Sequence, residues 1–118
     1  MTQITRIAHH VSGHAPEPID PARLVSGSPQ QTVANAYSDP GNAFHCGVWE
    51  GDVGSWRVAY TEYEFCHVLA GLIRLHGDDG SEVTLQAWDS FVIPAGFAGL
   101  WEVLEPARKL YAIYEPQA

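Results

Sequence analysis

The feature that most constrains the fold is a series of short apolar runs that begins at Phe44 and continues almost to the end of the chain. The runs cover residues 44–49, 56–60, 63–69, 72–76, 82–86, 90–93, 100–104 and 109–114, and residues such as Gly, Asp and Pro separate them. Short strands at a spacing of about 8–10 residues are typical of a β-sandwich or β-barrel. No stretch of about 12 residues keeps the 3.6-residue period of a helix, so the pattern predicts an all-β domain.

The first third of the chain lacks this pattern. Residues 1–43 contain five of the eight prolines and three of the six histidines, with little periodicity. Proline removes a backbone donor and interrupts regular elements. Because a chain of 118 residues is the length of one domain, we predict a poorly regular N-terminal arm over residues 1–43 and a single β domain over residues 44–118.

The charge balance narrows the possible partners. Fourteen acidic and six basic residues give a net charge of −8, which argues against nucleic acid and against an anionic membrane surface. No apolar run approaches the ~20 residues of a membrane span, and the first residues show no apolar leader. Two cysteines do not make a disulfide framework. These features predict a cytoplasmic protein.

Alternation along the runs predicts which side chains face inward. Glu64, Cys66 and Val68 share one face of their run, because successive side chains of a strand point to opposite sides. The opposite face of the same run carries Tyr63, Phe65, His67 and Leu69. By the same rule, Trp56, Val58 and Tyr60 lie together, as do Gly99, Trp101 and Val103, with Glu102 on the other side. Both faces of several strands are therefore apolar, which predicts a covering sheet or subunit and a homodimer.

Two motifs then indicate a family. E-F-C-H-V-L-A-G begins at Glu64 and is followed by Gly71, and D-S-F-V-I-P-A-G covers residues 89–96. Together with G-F-A-G-L-W-E-V-L-E-P-A-R-K-L-Y over residues 96–111, they resemble the cupin superfamily over about residues 44–115. The resemblance implies an antiparallel double-stranded β-helix, the RmlC-like jelly roll. It is strongest to the small single-domain cupins grouped with the ureidoglycine aminohydrolase cupin domain, most of which have no assigned reaction.

The sequence departs from the metal-binding cupins at the ligand positions. Those cupins offer His-x-His before the glutamate and a further His after Pro-x-Gly, whereas this chain has Val58, Tyr60 and Gly99 there. The turn glycine before the second motif is replaced by Trp88. We therefore predict no metal ligands and no cofactor. Whether His45 or His67 supplies a replacement ligand stays open, although His67 faces away from Glu64.

The remaining candidate site residues are those predicted to face the barrel interior. Glu64 and Tyr60 are the candidate catalytic residues, since a carboxyl group beside a phenol offers an acid–base pair. The candidate ligand-binding residues are Trp56, Cys66, Trp101, Lys109 and Tyr111. Lys109 is either a counter-charge to Glu64 or an anchor for an anion. Alternatively, Glu64 is a partly buried residue that hydrogen bonds from Tyr60 or Arg57 satisfy.

Three functions are compatible with this set of residues. The first is a metal-free barrel that binds a small nitrogenous or carbonyl-bearing molecule. The second, which the resemblance alone implies, is a metal-dependent enzyme similar to ureidoglycine aminohydrolase. The third is a metal-free isomerase or epimerase with Glu64 as base and Tyr60 or Lys109 as its partner acid. We expect the first, because the metal ligands are missing.

Overall fold

The computed structural model describes residues 2–116 as a curled antiparallel sheet of nine strands. The strands are β1 (Glu17–Pro18), β2 (Leu24–Ser26), β3 (Gln30–Ser38), β4 (Phe44–Gly51), β5 (Gly54–Ala59), β6 (Tyr63–Gly77), β7 (Glu82–Gln86), β8 (Ser90–Ile93) and β9 (Ala98–Tyr114). These described residues contain no helix, so the all-β fold class is confirmed. Across residues 2–116 there is accordingly no helix of the length and apolarity that crossing a membrane requires.

Two long strands, β6 and β9, form the centre of the sheet. Each unites two of the predicted runs, so the eight runs correspond to six strands. The two strands pair along most of their length, and the register shifts between Val68 and Ile73. Gly71 lies in this shift with a φ of +92°, where an added Cβ would collide with the backbone of Pro106. The separators at residues 70–71 and 105–107 are therefore bulges, which bend two continuous strands around the barrel. Residues 78–81, in contrast, form a turn between β6 and β7.

Part of the predicted arm belongs to the sheet. β3 pairs with β4, with Val33 opposite Trp49 and Asn35 opposite Gly47, and the short β2 pairs with β5. Residues 2–16 contain no strand. β3 was not predicted as a strand because its sequence, Q-Q-T-V-A-N-A-Y-S, is largely polar and shows no apolar face. The division of the chain at residue 43 stays a prediction, while the structure adds three strands before it.

The predicted alternation is confirmed in β6. Cys66 and Val68 are 0% exposed, whereas Phe65 is 48% exposed on the other side of the strand. The interior is built around tryptophans: the Trp49 and Trp101 rings meet edge to face at 5.7 Å between centroids, and Trp56 lies 6.3 Å from Trp49. Large aromatic side chains of this kind supply most of the buried apolar area in a small domain.

The turn between β7 and β8 carries an unusual backbone conformation. Trp88, which stands in the place of a turn glycine, has a φ of +77°. Its N–H donates to the carbonyl of Val68 at 2.8 Å, which holds the turn against β6. The left-handed region costs a residue with a Cβ roughly 1–2 kcal/mol. The indole is 75% exposed and contacts the outward-facing ring of His67, 5.5 Å away.

Candidate functional site

A cavity of about 500 Å³ lies inside the barrel between β3, β4, β5, β6 and β9. Its aromatic walls are Trp49, Trp56, Tyr60, Trp101 and Tyr111. Its other polar lining residues include Gln31, Asn35, His45 and Glu62, while Glu64 and Lys109 lie deeper. The structure therefore brings the predicted residues Trp56, Tyr60, Glu64, Trp101, Lys109 and Tyr111 to one cavity.

The floor of the cavity is a buried ion pair. Lys109 Nζ of β9 donates to Glu64 Oε2 of β6 over 2.6 Å, and the two residues are 4% and 6% exposed. Cys66 joins the pair, because its thiol donates to Glu64 Oε2 at 3.0 Å and lies 3.4 Å from Lys109 Nζ. Of the two roles considered for Lys109, the geometry fits a counter-charge to Glu64.

Two indole rings complete the surroundings of the ammonium group. Lys109 Nζ lies 4.3 Å from the centroid of Trp101 and 5.3 Å from that of Trp49. A cation over an indole face is attracted by the negative charge of the π system, and the attraction grows when water is excluded. The ammonium group of Lys109 is thus surrounded by a carboxylate, a sulfur and two aromatic rings.

These contacts set the protonation states of the floor. Burial opposes the charged form of Lys109, but the negative charges that Cys66 and Glu64 can carry more than offset it and raise the lysine pKa above its ordinary value. Burial raises the pKa of the Cys66 thiol to about 12; Lys109 partly offsets this rise and Glu64 adds to it. Lys109 is therefore an ammonium and Cys66 a thiol at neutral pH, and a neutral, buried thiol is a poor nucleophile.

Tyr60 and Arg57 do not satisfy Glu64, so that interpretation was wrong. Tyr60 packs edge to face against Phe97 at 6.3 Å, and burial raises its pKa above the ordinary value. Arg57 lies on the outside of the barrel and donates to both carboxylate oxygens of Asp78, at 2.7 and 2.8 Å. Glu64 instead accepts from Cys66 and Lys109.

A second polar layer, which sequence analysis missed, comes from β3. Tyr111 Oη donates to Asn35 Oδ1 at 2.7 Å, and Trp49 Nε1 donates to Gln31 Oε1 at 2.9 Å. Burial raises the pKa of Tyr111 to about 12, so it remains a phenol donor. Gln31, Val33 and Asn35 are two residues apart and share one face of β3. This spacing was the available signal, but it only became meaningful once β3 was known to pair with β4.

One buried donor in the cavity wall has no partner. Trp101 Nε1 is buried and makes no hydrogen bond with any described residue. Buried N–H groups are almost always paired. The Nε1 atom is inaccessible to solvent, so it is an exception within the core and not a donor that the cavity offers to a ligand.

The donor set does not fit a divalent metal. Val58 and Gly99 pair directly across β5 and β9 and offer no side-chain ligand, and Tyr60 keeps its proton. His45 is bonded to Ser38 Oγ and the Asn42 carbonyl. His67 lies on the outside with Ser90. Within residues 2–116 no three His, Cys, Asp or Glu side chains are grouped as metal ligands, and a tetrahedral or octahedral site needs at least that number.

Known structures share this architecture. A protein of unknown function in the DUF861 family from Pseudomonas syringae pv. tomato superimposes with a TM-score of 0.80 at 23% identity, covering 91% of this chain and 46% of that one. The Clostridium difficile EutQ protein gives 0.67 at 19% identity, covering 75% and 65%. An acetylacetone dioxygenase from Acinetobacter johnsonii gives 0.73 at 14% identity, covering 97% and 76%. At these identities the likeness concerns the fold.

The sequence itself matches the model of a named family. This chain spans only about half the length of the Pseudomonas protein, 46% of it. Among curated proteins, none matches the sequence. The EutQ-like cupin domain matches residues 38–111, which is more than half of the chain and includes both motifs and the lysine of the ion pair. The predicted cupin fold is therefore confirmed, and the chain belongs to the family of EutQ-like cupin domains.

Proposed function

We propose that the protein binds a small molecule in the barrel cavity and that it does so without a metal ion. The observation that carries the proposal is a cavity of about 500 Å³ whose floor is already neutralised by its own ion pair. Binding sites for small molecules typically measure about 300–1,000 Å³, with mostly apolar walls and a few polar groups that orient the ligand. The tryptophan walls and the β3 amides have this arrangement.

The lining favours a compact ligand that carries carbonyl or nitrogen groups. The aromatic walls of the cavity suit a flat or apolar portion of the ligand. Gln31 offers an amide donor to the cavity, whereas the amide N–H groups of Asn35 already donate to the Tyr37 carbonyl and to Ser38 Oγ. Groups of both hydrogen-bonding types at one rim orient a ligand that has both acceptors and donors.

Binding is better supported than acid–base catalysis. An isomerase or epimerase needs a free base, but Glu64 is held 2.6 Å from an ammonium and also accepts from a thiol. The phenols of Tyr60 and Tyr111 have raised pKa values because they are buried, so they keep their protons. A reaction like that of ureidoglycine aminohydrolase has no supporting metal ligands here.

Titration of purified protein with ureides, amino acids and sugars tests the proposal. Tryptophan fluorescence and isothermal titration calorimetry report binding directly, because three tryptophans line the cavity. We expect saturable binding of one ligand class that Gln31→Ala weakens. Gln86→Ala is the matched control, since Gln86 is an exposed residue of β7. Absence of binding to every compound in the panel, or equal loss of binding in both variants, would contradict the proposal.

We further propose that a second copy of the chain covers the outer apolar face. This face consists of seven side chains that are each between 39% and 75% exposed: Tyr37, Phe44, Tyr63, Phe65, Trp88, Val92 and Tyr114. Its members are neighbours in the sheet, because Tyr114 lies opposite both Tyr63 and Phe44, and Phe65 lies opposite Val92. The Tyr63 and Tyr114 rings are stacked at 6.5 Å.

The size and charge of this face support a dimer. Aromatic side chains have about 150–250 Å² each, so seven half-exposed groups present on the order of 600 Å² or more, close to the ~800 Å² that each partner buries in a standard interface. The outward positions of β4 before Glu50, of β6 before Gly71, of β8, and of β9 beyond Arg108 include no Asp, Glu, Lys or Arg. An uncharged face on a chain of net charge −8 is what a self-complementary contact requires.

Sedimentation or light scattering at micromolar concentration tests the dimer. Val92→Lys places a charge in the centre of the face and should produce monomers. Val83→Lys is the matched control, because Val83 is a half-exposed valine of β7 outside the face. A wild-type protein that is monomeric, or a dimer that only Val83→Lys dissociates, would refute this interface.

We also propose a cytoplasmic location and no nucleic-acid or membrane partner. Cys46 and Cys66 are both free thiols, which a reducing compartment maintains, and the net charge of −8 disfavours polyanions. Cell fractionation and co-sedimentation with anionic vesicles check these points. Recovery outside the cytoplasmic fraction, or retention on the vesicles, would contradict them.

A further inference from the structure

We infer that the ammonium group of Lys109 is the resident cation of this barrel and occupies the place beside Glu64 that a metal ion takes in the metal-binding cupins. The nitrogen lies 2.6 Å from Glu64 Oε2, and the glutamate is the one residue of the usual ligand set that this chain keeps. The inference concerns the cation itself and does not depend on whether a ligand binds above it.

The surroundings of Lys109 are built for a fixed monovalent cation. Glu64 supplies the negative charge, Cys66 supplies a soft acceptor at 3.4 Å, and Trp101 supplies an aromatic face at 4.3 Å. An ammonium has three donors and no acceptor, so these three partners use all of them. Divalent metals instead prefer several carboxylate, imidazole or thiolate ligands.

The replaced ligand positions supply no side-chain ligands for a bound metal ion. Val58 and Gly99 face each other across β5 and β9 and supply no donor atom. Tyr60 keeps its proton because its burial raises the pKa of the phenol. A divalent ion would have to approach Glu64 against the charge of an ammonium that the backbone of β9 holds in place. The missing imidazoles and the tethered ammonium are therefore two features of one site, in which the cation belongs to the chain itself.

The composition of the chain provides a clean test. Lys109 is the only lysine in the sequence, and the other five basic residues are arginines. A lysine-specific signal therefore reports this site without resonance assignment. Lysine labelled with ¹⁵N should give a single side-chain signal of a charged, slowly exchanging ammonium at neutral pH in the wild-type protein. A neutral amine signal, or exchange as fast as in a denatured sample, would overturn the inference.

Chemical acetylation of native and denatured protein gives an independent measurement. In the native protein, mass spectrometry should find the N-terminal amine modified and Lys109 unmodified, because the side chain is 4% exposed and protonated. Denaturation should add a second modification. Modification of Lys109 in the native protein at the rate of the N-terminal amine would show that the cation is accessible and would count against the inference.

Metal loading and paired substitutions test the replacement itself. After incubation with Mn²⁺ or Zn²⁺ and desalting, the wild-type protein should retain far less than one equivalent of metal.

Paired substitutions test the charge balance of the site. Lys109→Met should lower the urea midpoint, and adding Glu64→Gln in the same chain should raise it again, because the second change removes the uncompensated carboxylate. If Lys109→Met does not fold at all, soluble yield of the double variant against the single one gives the same comparison.

The matched control is the exposed ion pair of Arg57 and Asp78, which has a similar separation of 2.7 Å. Arg57→Met with and without Asp78→Asn should show little or no such recovery, since solvent screens that pair. Two results would overturn the inference. One is stoichiometric metal in the wild-type protein that Glu64→Gln abolishes. The other is a Glu64→Gln, Lys109→Met variant no more stable than Lys109→Met alone.

Discussion

Over residues 63–69 of β6 and 109–114 of β9, the two faces of the sheet reverse the usual distribution of charged and apolar residues. On the inner face, Glu64 and Lys109 form an ion pair that is almost completely buried. On the outer face, Tyr63 and Phe65 flank Glu64 and Leu110 follows Lys109, and Phe65 is half exposed. Soluble proteins usually place charge outside and apolar residues inside. The inner face lines a cavity, and the proposed partner chain would account for the exposed apolar residues of the outer face.

Burying the Lys109–Glu64 ion pair in the core carries a large desolvation penalty. Removing two charges from water costs several kcal/mol for each ion, which their attraction repays only with good geometry. Here the Lys109–Glu64 distance is only 2.6 Å, and the ammonium also contacts the sulfur of Cys66 and the ring of Trp101. Because apolar residues of the same volume would often be as stable, the pair points to a role in shaping the cavity floor.

The largest expected effect comes from making the inner face apolar in two steps. Lys109→Met alone should cost about 3–5 kcal/mol of unfolding free energy, because it leaves Glu64 buried without a counter-charge. Lys109→Met combined with Glu64→Leu should return to within about 2 kcal/mol of the wild type, since no unpaired charge remains. Urea unfolding measures both. A single variant as stable as the wild type would show that the two faces do not differ in this way.

Thiol labelling compares the two faces directly, because each carries one cysteine. Cys66 lies inside with a pKa raised by burial to about 12, and Cys46 lies on the outer side of β4, partly exposed, with a pKa raised by its lesser burial. In the monomeric Val92→Lys variant, iodoacetamide should modify Cys46 at least about tenfold faster, since only the thiolate reacts. Peptide mass spectrometry gives the two rates. Equal rates would mean that the cavity floor is open to solvent.

Trp88→Gly tests how the strained, exposed Trp88 contributes to the stability of the chain and to the outer apolar face. Glycine adopts a φ of +77° without a Cβ clash, so this change should stabilise the Val92→Lys monomer by up to about 1 kcal/mol. In the otherwise wild-type chain the same change should weaken the proposed dimer, because it removes a largely exposed indole from the outer apolar face. Urea unfolding and sedimentation separate the two effects. Loss of monomer stability would show that contact with His67 outweighs the backbone strain.

The smallest expected effect concerns Asp39, which lies in the turn between β3 and β4. Its Oδ1 accepts from the N–H groups of Phe44 and Ala43, at 2.8 and 2.7 Å, and the bond from Phe44 is the largest cause of its lowered pKa. A lowered folded-state pKa adds stability above the unfolded pKa and loses it as the pH falls through the folded value. Asp39→Asn should therefore differ slightly from the wild type at neutral pH and converge with it in acid. Urea midpoints across this range check the sign, and a difference that widens in acid would contradict it.

Much of the fold was predictable because its signals are local. The alternation of Glu64, Phe65 and Cys66 assigns two faces to one strand whatever the strand pairs with. The breaks at Gly71 and Pro106 were interpreted as turns, because a glycine or proline that ends a strand and one that lies in a bulge look alike in sequence. The structure distinguishes them through the register of β6 against β9.

The candidate site was only partly predictable for a related reason. Glu64, Tyr60 and the tryptophans follow from the motifs and the strand period, and Lys109 was identified as a residue on the correct face. Gln31 and Asn35 were missed, because β3 is largely polar and becomes part of the cavity only through its pairing with β4. The partner of Glu64 was also ambiguous among three basic or phenolic side chains.

The sequence by itself determined the strand-forming segments after residue 43, the inward and outward residues of β6 and the absence of the usual imidazole ligands, since these depend on local sequence. Only the tertiary structure decided that Lys109, 45 positions from Glu64, completes the ion pair and that β3 closes the cavity wall. Contacts of this kind depend on register and bulges between strands distant in sequence. A local pattern says which way a side chain points, whereas the pairing of strands decides what it meets.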